Sequence, residues 1–74
     1  MGQVKNVELI EQIARKVKKM RENAGVSQEI FYHDTGIHIG RIETAKGNIT
    51  VSTLEAICAY FNTDIVTFFT TLNK

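Results

Sequence analysis

Between Arg21 and Glu43 the chain reads RENAGVSQEIFYHDTGIHIGRIE, and two helix starts follow one another within it after only a short interval. Gly25 can end a preceding helix in the left-handed conformation that a side chain disfavours. Ser27 offers its hydroxyl to the free N–H groups of a helix beginning at Gln28. Thr35 is expected to cap a further helix whose end is Arg41-Ile42-Glu43. Helices this short and this close in sequence cannot lie side by side, so they must cross, and few folds accommodate that.

The rest of the chain supplies helices around this pair. Val7, Ile10, Ile13, Val17, Met20 and Ala24 recur at steps of three and four, which predicts an amphipathic first helix. Ile30 and Phe31 are expected to form the buried side of the second. Thr44 to Ile49 reads as a loop, and Thr50 can cap a fourth helix with Leu54, Ile57, Cys58 and Phe61 inward. Asn62-Thr63-Asp64 breaks that pattern, and Ile65, Phe68, Phe69 and Leu72 predict a short fifth helix. Gly36-Ile37-His38-Ile39-Gly40 is ambiguous. Glycine in a helix interior costs about 1 kcal/mol relative to alanine, and Ile-His-Ile alternation also fits a strand. Helix is preferred, because Ile39, Ile42 and Glu43 then share one face. The expected fold class is all-α, a compact bundle of five short helices, in one domain spanning residues 1–74.

Seventy-four residues allow one modest core. The apolar runs are too short to span a membrane, and MGQVKNVELI lacks the blocks of a signal peptide. Gly2 alone, without a polybasic neighbourhood, does not make a myristoylation site. Cys58 has no partner for an internal disulfide, which fits a reducing cytoplasm. The net charge of +1 does not itself indicate nucleic acid. Its distribution is uneven, however: Lys5, Arg15, Lys16, Lys18, Lys19 and Arg21 crowd the N-terminal third, while Glu55 and Asp64 lie in the second half. That asymmetry is compatible with a basic face directed at phosphates, and equally with a solvated helix surface.

Met20-Arg21, Gly25, Ser27-Gln28-Glu29, Arg41-Ile42-Glu43, Asn48 and Ser52-Thr53-Leu54 together resemble the helix-turn-helix family of phage repressors and Cro proteins, the XRE type, which includes many small bacterial regulators. The resemblance runs from about Ile13 to Phe69, with the motif at about 27–43, and rests on order and spacing rather than on any single piece. It implies a lambda-repressor-like DNA-binding domain whose second motif helix enters the major groove. It further implies an ion pair between Arg21 and Glu43, phosphate contacts from Lys46 and Asn48, and a homodimer on an inverted repeat. Two departures stand out. The interval from Gln28 to Ile42 is shorter than the family norm by about three residues, close to one helical turn, so the second helix or its turn must be trimmed. Ala45 stands where the family usually has glycine, which points to a different C-cap.

If the reading helix starts at Thr35 and runs to Glu43, steps of 100° per residue turn Ile39, Ile42 and Glu43 inward and Ile37, Gly40 and Arg41 outward, with His38 on the flank. Arg41 can make the bidentate contact to guanine O6 and N7, and Ile37 can pack on a thymine methyl. Either could equally be an ordinary surface residue. His38 can meet a base edge or a phosphate, or merely sit on a polar surface. Gln28 lies in the first turn of its helix, where N–H groups and the dipole favour an anion. The DNA-contacting set is thus Gln28, Thr35, Ile37, His38, Arg41, Lys46 and Asn48. Phe68, Phe69 and Leu72 are candidates for a dimer seam, or else close the monomer core. Tyr32 and Tyr60 read as core-edge residues, and Cys58 as a small buried hydrophobe.

No metal site is expected: His33 and His38 are five apart rather than four, and Cys58 is remote. No catalytic constellation or phosphate-cradling glycine loop is present, so neither enzyme activity nor a cofactor is expected. Two functions remain. One is sequence-specific binding of double-stranded DNA as a small cytoplasmic transcriptional regulator, most simply a repressor, of bacterial or phage type. The other is a protein-interaction module, such as an antitoxin-like partner using the same fold.

Overall fold

The computed structural model describes residues 6–46 and 49–72, and over these the chain forms five helices. Helix α1 covers Val7–Asn23 and starts on Asn6, whose side chain accepts the Leu9 N–H at 2.9 Å. Its stripe buries Ile10, Ile13, Ala14 and Val17, and one charged residue, Arg21. Gly25 stands at φ +70 and ends the helix as the sequence requires. Helix α2, Gln28–Thr35, begins on Ser27, whose Oγ accepts the Ile30 N–H at 3.0 Å.

The third helix is shorter than the sequence implies. Thr35 does not cap it; Thr35 is the last residue of α2, its hydroxyl donating to the Phe31 carbonyl and accepting the Ile37 N–H. Gly36, at φ +74, stops α2 with its N–H on the Tyr32 carbonyl at 2.7 Å. Residues 36–38 form the turn, and α3 covers only Ile39–Glu43. Its N-cap is His38, whose side chain makes no capping bond. A glycine that can adopt positive φ competes well with continued helix, and here it moves the start of α3 four residues downstream. The shortened interval is therefore absorbed in α3. Ala45, in turn, adopts φ +58. Alanine takes up the left-handed conformation that glycine would fill more cheaply, so the C-cap geometry is kept rather than changed.

Helix α4, Val51–Tyr60, is capped by Thr50, and α5, Ile65–Thr70, by Asp64, whose Oδ1 accepts the Thr67 N–H at 2.8 Å. Asn62, at φ +60, makes the corner between them. The core is one cluster drawn from all five helices: Ile13, Val17, Phe31, Ile39, Leu54, Ile57, Cys58 and Phe68. Phe31 lies at its centre, edge-on to Tyr60 at 4.7 Å and stacked with Phe61 at 5.6 Å. Burying a side chain of this size is worth about 3 kcal/mol at most. Ile30, expected inside, is instead 51% exposed; α2 is short and buries only Phe31. Lys16 fastens the far end. Its Nζ donates to the Phe68 carbonyl at 3.1 Å and to Thr71 Oγ1, supplying protons to oxygens at the end of α5. Among the described residues no helix is long and apolar enough to cross a membrane.

Candidate nucleic-acid interface

The site is assembled around one ion pair. Arg21 leaves α1 toward α3 and meets Glu43 through two bonds, Nε to Oε2 at 2.7 Å and Nη2 to Oε1 at 3.0 Å. Its Nη1 also donates to the Val26 carbonyl at 2.9 Å, in the turn between α1 and α2. The two side chains are 11% and 4% exposed. Burial pushes the Glu43 carboxyl upward, but hydrogen bonds from Arg21 and Gln28, with the charges of Arg21 and Lys18, outweigh it and hold it below its ordinary range. The bond to Glu43 raises Arg21 despite the opposing effect of burial. A two-point guanidinium–carboxylate contact fixes orientation as well as distance. It ties the C-terminal end of α3 to α1, while Ile39 holds the other end in the core.

Arg41 is exposed on α3, opposite buried Ile39 and the clamped Glu43. Ile37 does not share that outer face. It is half-buried and packs against the core, because it belongs to the turn and not to a helix, and the 100° count does not reach it. His38 is exposed and stacked on Tyr32, ring centroids 4.4 Å apart. Thr35 is half-buried with its hydroxyl engaged in the backbone of the turn. Lys46 is exposed beyond the end of α3, and Asn48 lies outside the described residues.

Gln28 stands at the start of α2, but its side chain is turned onto the ion pair. Nε2 donates to Glu43 Oε1 at 3.0 Å. A Cβ at Gly40 would stand 3.0 Å from Gln28 Oε1, so the glycine in α3 is what lets this amide lie so close. The residues Arg21, Gln28, Gly40 and Glu43 thus form one contact set linking three helices. Gln28 and Glu43 are fifteen residues apart, and no local pattern announces their contact. Glycine inside a short helix was the one visible sign. Two further contacts carry no sequence signal either: the Tyr32–His38 stack, and the hydrogen bond from Tyr60 Oη to Asp34 Oδ2 at 2.7 Å, which joins α2 to α4.

The three C-terminal apolar residues divide. Phe68 is 1% exposed and belongs to the monomer core, Leu72 is half-buried against that core, and Phe69 is 41% exposed. Val66, on the same helix, is 74% exposed. Among the described residues no group of three or more His, Cys, Asp or Glu side chains is placed to hold a metal ion.

Residues 17–68, more than half of the chain, match the model of a helix-turn-helix family. No curated protein and no solved structure matches the chain. The matched segment runs from the second half of α1 into α5 and contains the capped α2, the three-residue turn and the clamped α3. The chain belongs to the Cro-like, XRE-type helix-turn-helix family of DNA-binding transcription regulators.

Proposed function

We propose that this chain is a sequence-specific repressor that binds double-stranded DNA in the cytoplasm as a homodimer on an inverted repeat. Arg41 on α3 reads base edges, Lys46 and Asn48 hold phosphates, His38 and Thr35 border the contact, and Gln28, its amide on Glu43, serves the clamp instead of a phosphate. Two such helices would meet the major groove about one DNA turn apart. The observation carrying this reading is the clamp: Arg21–Glu43 holds α3 by its inner side and leaves Arg41 projecting from the opposite one. With five residues, α3 offers few readers, and Ile37 is turned into the core, so DNA shape supplies part of the specificity.

The experiment is a titration of labelled duplexes, a selected site and a scrambled one, at several salt concentrations. Arg41→Ala should cost about 1–3 kcal/mol on the selected site and relax preference at one base pair per half-site. Lys46→Ala should weaken both duplexes alike and make the slope of log affinity against log salt shallower by about one. Equal losses on both duplexes for Arg41→Ala remove it as a reader. A second reading, a protein-interaction module such as an antitoxin-like partner, is favoured by Ile30 and Tyr32, 51% and 48% exposed on α2. Absence of salt-sensitive DNA binding by the wild-type chain would decide for it.

A further inference from the structure

Away from α3, a groove of about 500 Å³ runs between α1 and the segment that follows α5. Its size falls within the range of small-molecule sites, about 300–1,000 Å³. Arg15, Lys16, Lys19 and Asn23 line it on α1, Met20 and Leu72 give it an apolar wall, and among the described residues none that lines it is a carboxylate. Lys16 is already engaged with the Phe68 carbonyl and Thr71, and its ammonium lies 5.2 Å from the centre of the Phe68 ring. Arg15 and Lys19 are exposed, one turn apart, and neither forms an ion pair with any described residue. Like charges at this spacing repel, so an anion between them relieves that repulsion.

We propose that this groove binds a small amphipathic monocarboxylate, its carboxylate between Arg15 and Lys19 and its apolar body on Met20 and Leu72. Charge complementarity selects an anion, since a neutral ligand gains nothing from the two exposed cations. The half-buried methionine and leucine select an apolar body, which a bare inorganic anion lacks. Met20 is unbranched and adapts to irregular ligand shapes. Lys19 and Asn23 project from α1 roughly 160° away from Arg21, which faces α3. The ligand therefore occupies a face distinct from the one assigned to DNA, and the inference does not depend on DNA binding.

The test is titration of the full chain with hexanoate, followed by amide chemical shifts. Saturable shifts confined to residues 12–23 and to Thr71 and Leu72 are expected. Hexanol and inorganic phosphate should each bind at least about tenfold more weakly, because each lacks one half of the recognition. Arg15→Gln with Lys19→Gln should weaken hexanoate about tenfold while the helical circular dichroism is unchanged, both residues being exposed. Leu72→Asp, which places a negative charge on the apolar wall, should weaken it independently. Diffuse or non-saturating shifts, phosphate binding as tightly as hexanoate, or an unaltered affinity in the double variant would each overturn the proposal. Binding to phosphatidylglycerol vesicles without binding to free hexanoate would overturn it as well, in favour of a lipid surface.

Discussion

Glu43→Ala is the most telling single perturbation of this protein, because one carboxylate accepts three hydrogen bonds from two partners at once. It removes both bonds to Arg21 and the acceptor of the Gln28 amide. Arg21 would keep only the Val26 carbonyl while remaining largely enclosed by α1 and α3. Breaking a buried pair by deleting one partner costs about 3–5 kcal/mol, against about 0–1 kcal/mol for a surface pair. At 11% and 4% exposure the pair lies near the buried end. A chain of 74 residues has a total stability of about 4–11 kcal/mol, so the loss is a large share of it. Arg21→Ala should destabilise comparably, and the double variant should lose less than the sum, with a coupling of about 1–3 kcal/mol. Urea unfolding monitored by helical circular dichroism, with the m-value held as a check on two-state behaviour, gives all three numbers. Strict additivity of the two single losses would refute the clamp. The pH dependence is a second signature. Glu43 is held below its ordinary carboxyl range in the folded state, so its contribution is present above the unfolded value of about 4.3 and drains as the pH falls toward the lower folded value. Glu43→Gln should flatten the stability curve across that acidic window.

Ala45→Gly should stabilise the protein by about 0.5–1 kcal/mol, since relief of the left-handed alanine exceeds the added freedom of the unfolded chain; an unchanged or lower melting temperature would show the turn is not strained. Tyr60→Phe should raise the Asp34 carboxyl toward its ordinary value, because the Tyr60 hydroxyl is the largest of the influences holding it down; a carboxyl titration followed by NMR that does not move would remove that contact. Phe69→Asp should shift the chain toward monomer in sedimentation without unfolding it, whereas Phe68→Ala should cost about 3–5 kcal/mol of stability as a core deletion. A wild type that is monomeric at high concentration, free and on DNA, would end the dimer proposal.

Much of the architecture was legible from residue types alone, because its determinants are local. Ser27 and Thr50 each act within one turn as caps, Gly25 within its own φ angle, and the α1 stripe within a three-to-four residue period. Each needs only its immediate neighbours. The family pattern of ordered short signals carried Arg21 and Glu43, which no periodicity would have paired. What the sequence could not settle was every contest between two local signals of similar strength. Thr35 can cap a helix or end one, and Gly36 decides by stopping α2 at positive φ, which moves α3 to Ile39 and turns Ile37 into the core. Ile30 has the composition of a core residue but lies outside, because the packing of α2 leaves room for Phe31 alone. Gln28 was readable as an anion ligand at a helix start; only the approach of α3, permitted by the missing side chain at Gly40, turns its amide onto Glu43. Lys16 read as one of several surface cations, and it became the fastening of α5 only when the chain brought Phe68 and Thr71 back across α1. Local free energies of capping and periodicity are set by residues a turn apart. The direction in which a side chain finally points is set by whatever distant segment packs against it, and that is decided only by the assembled fold.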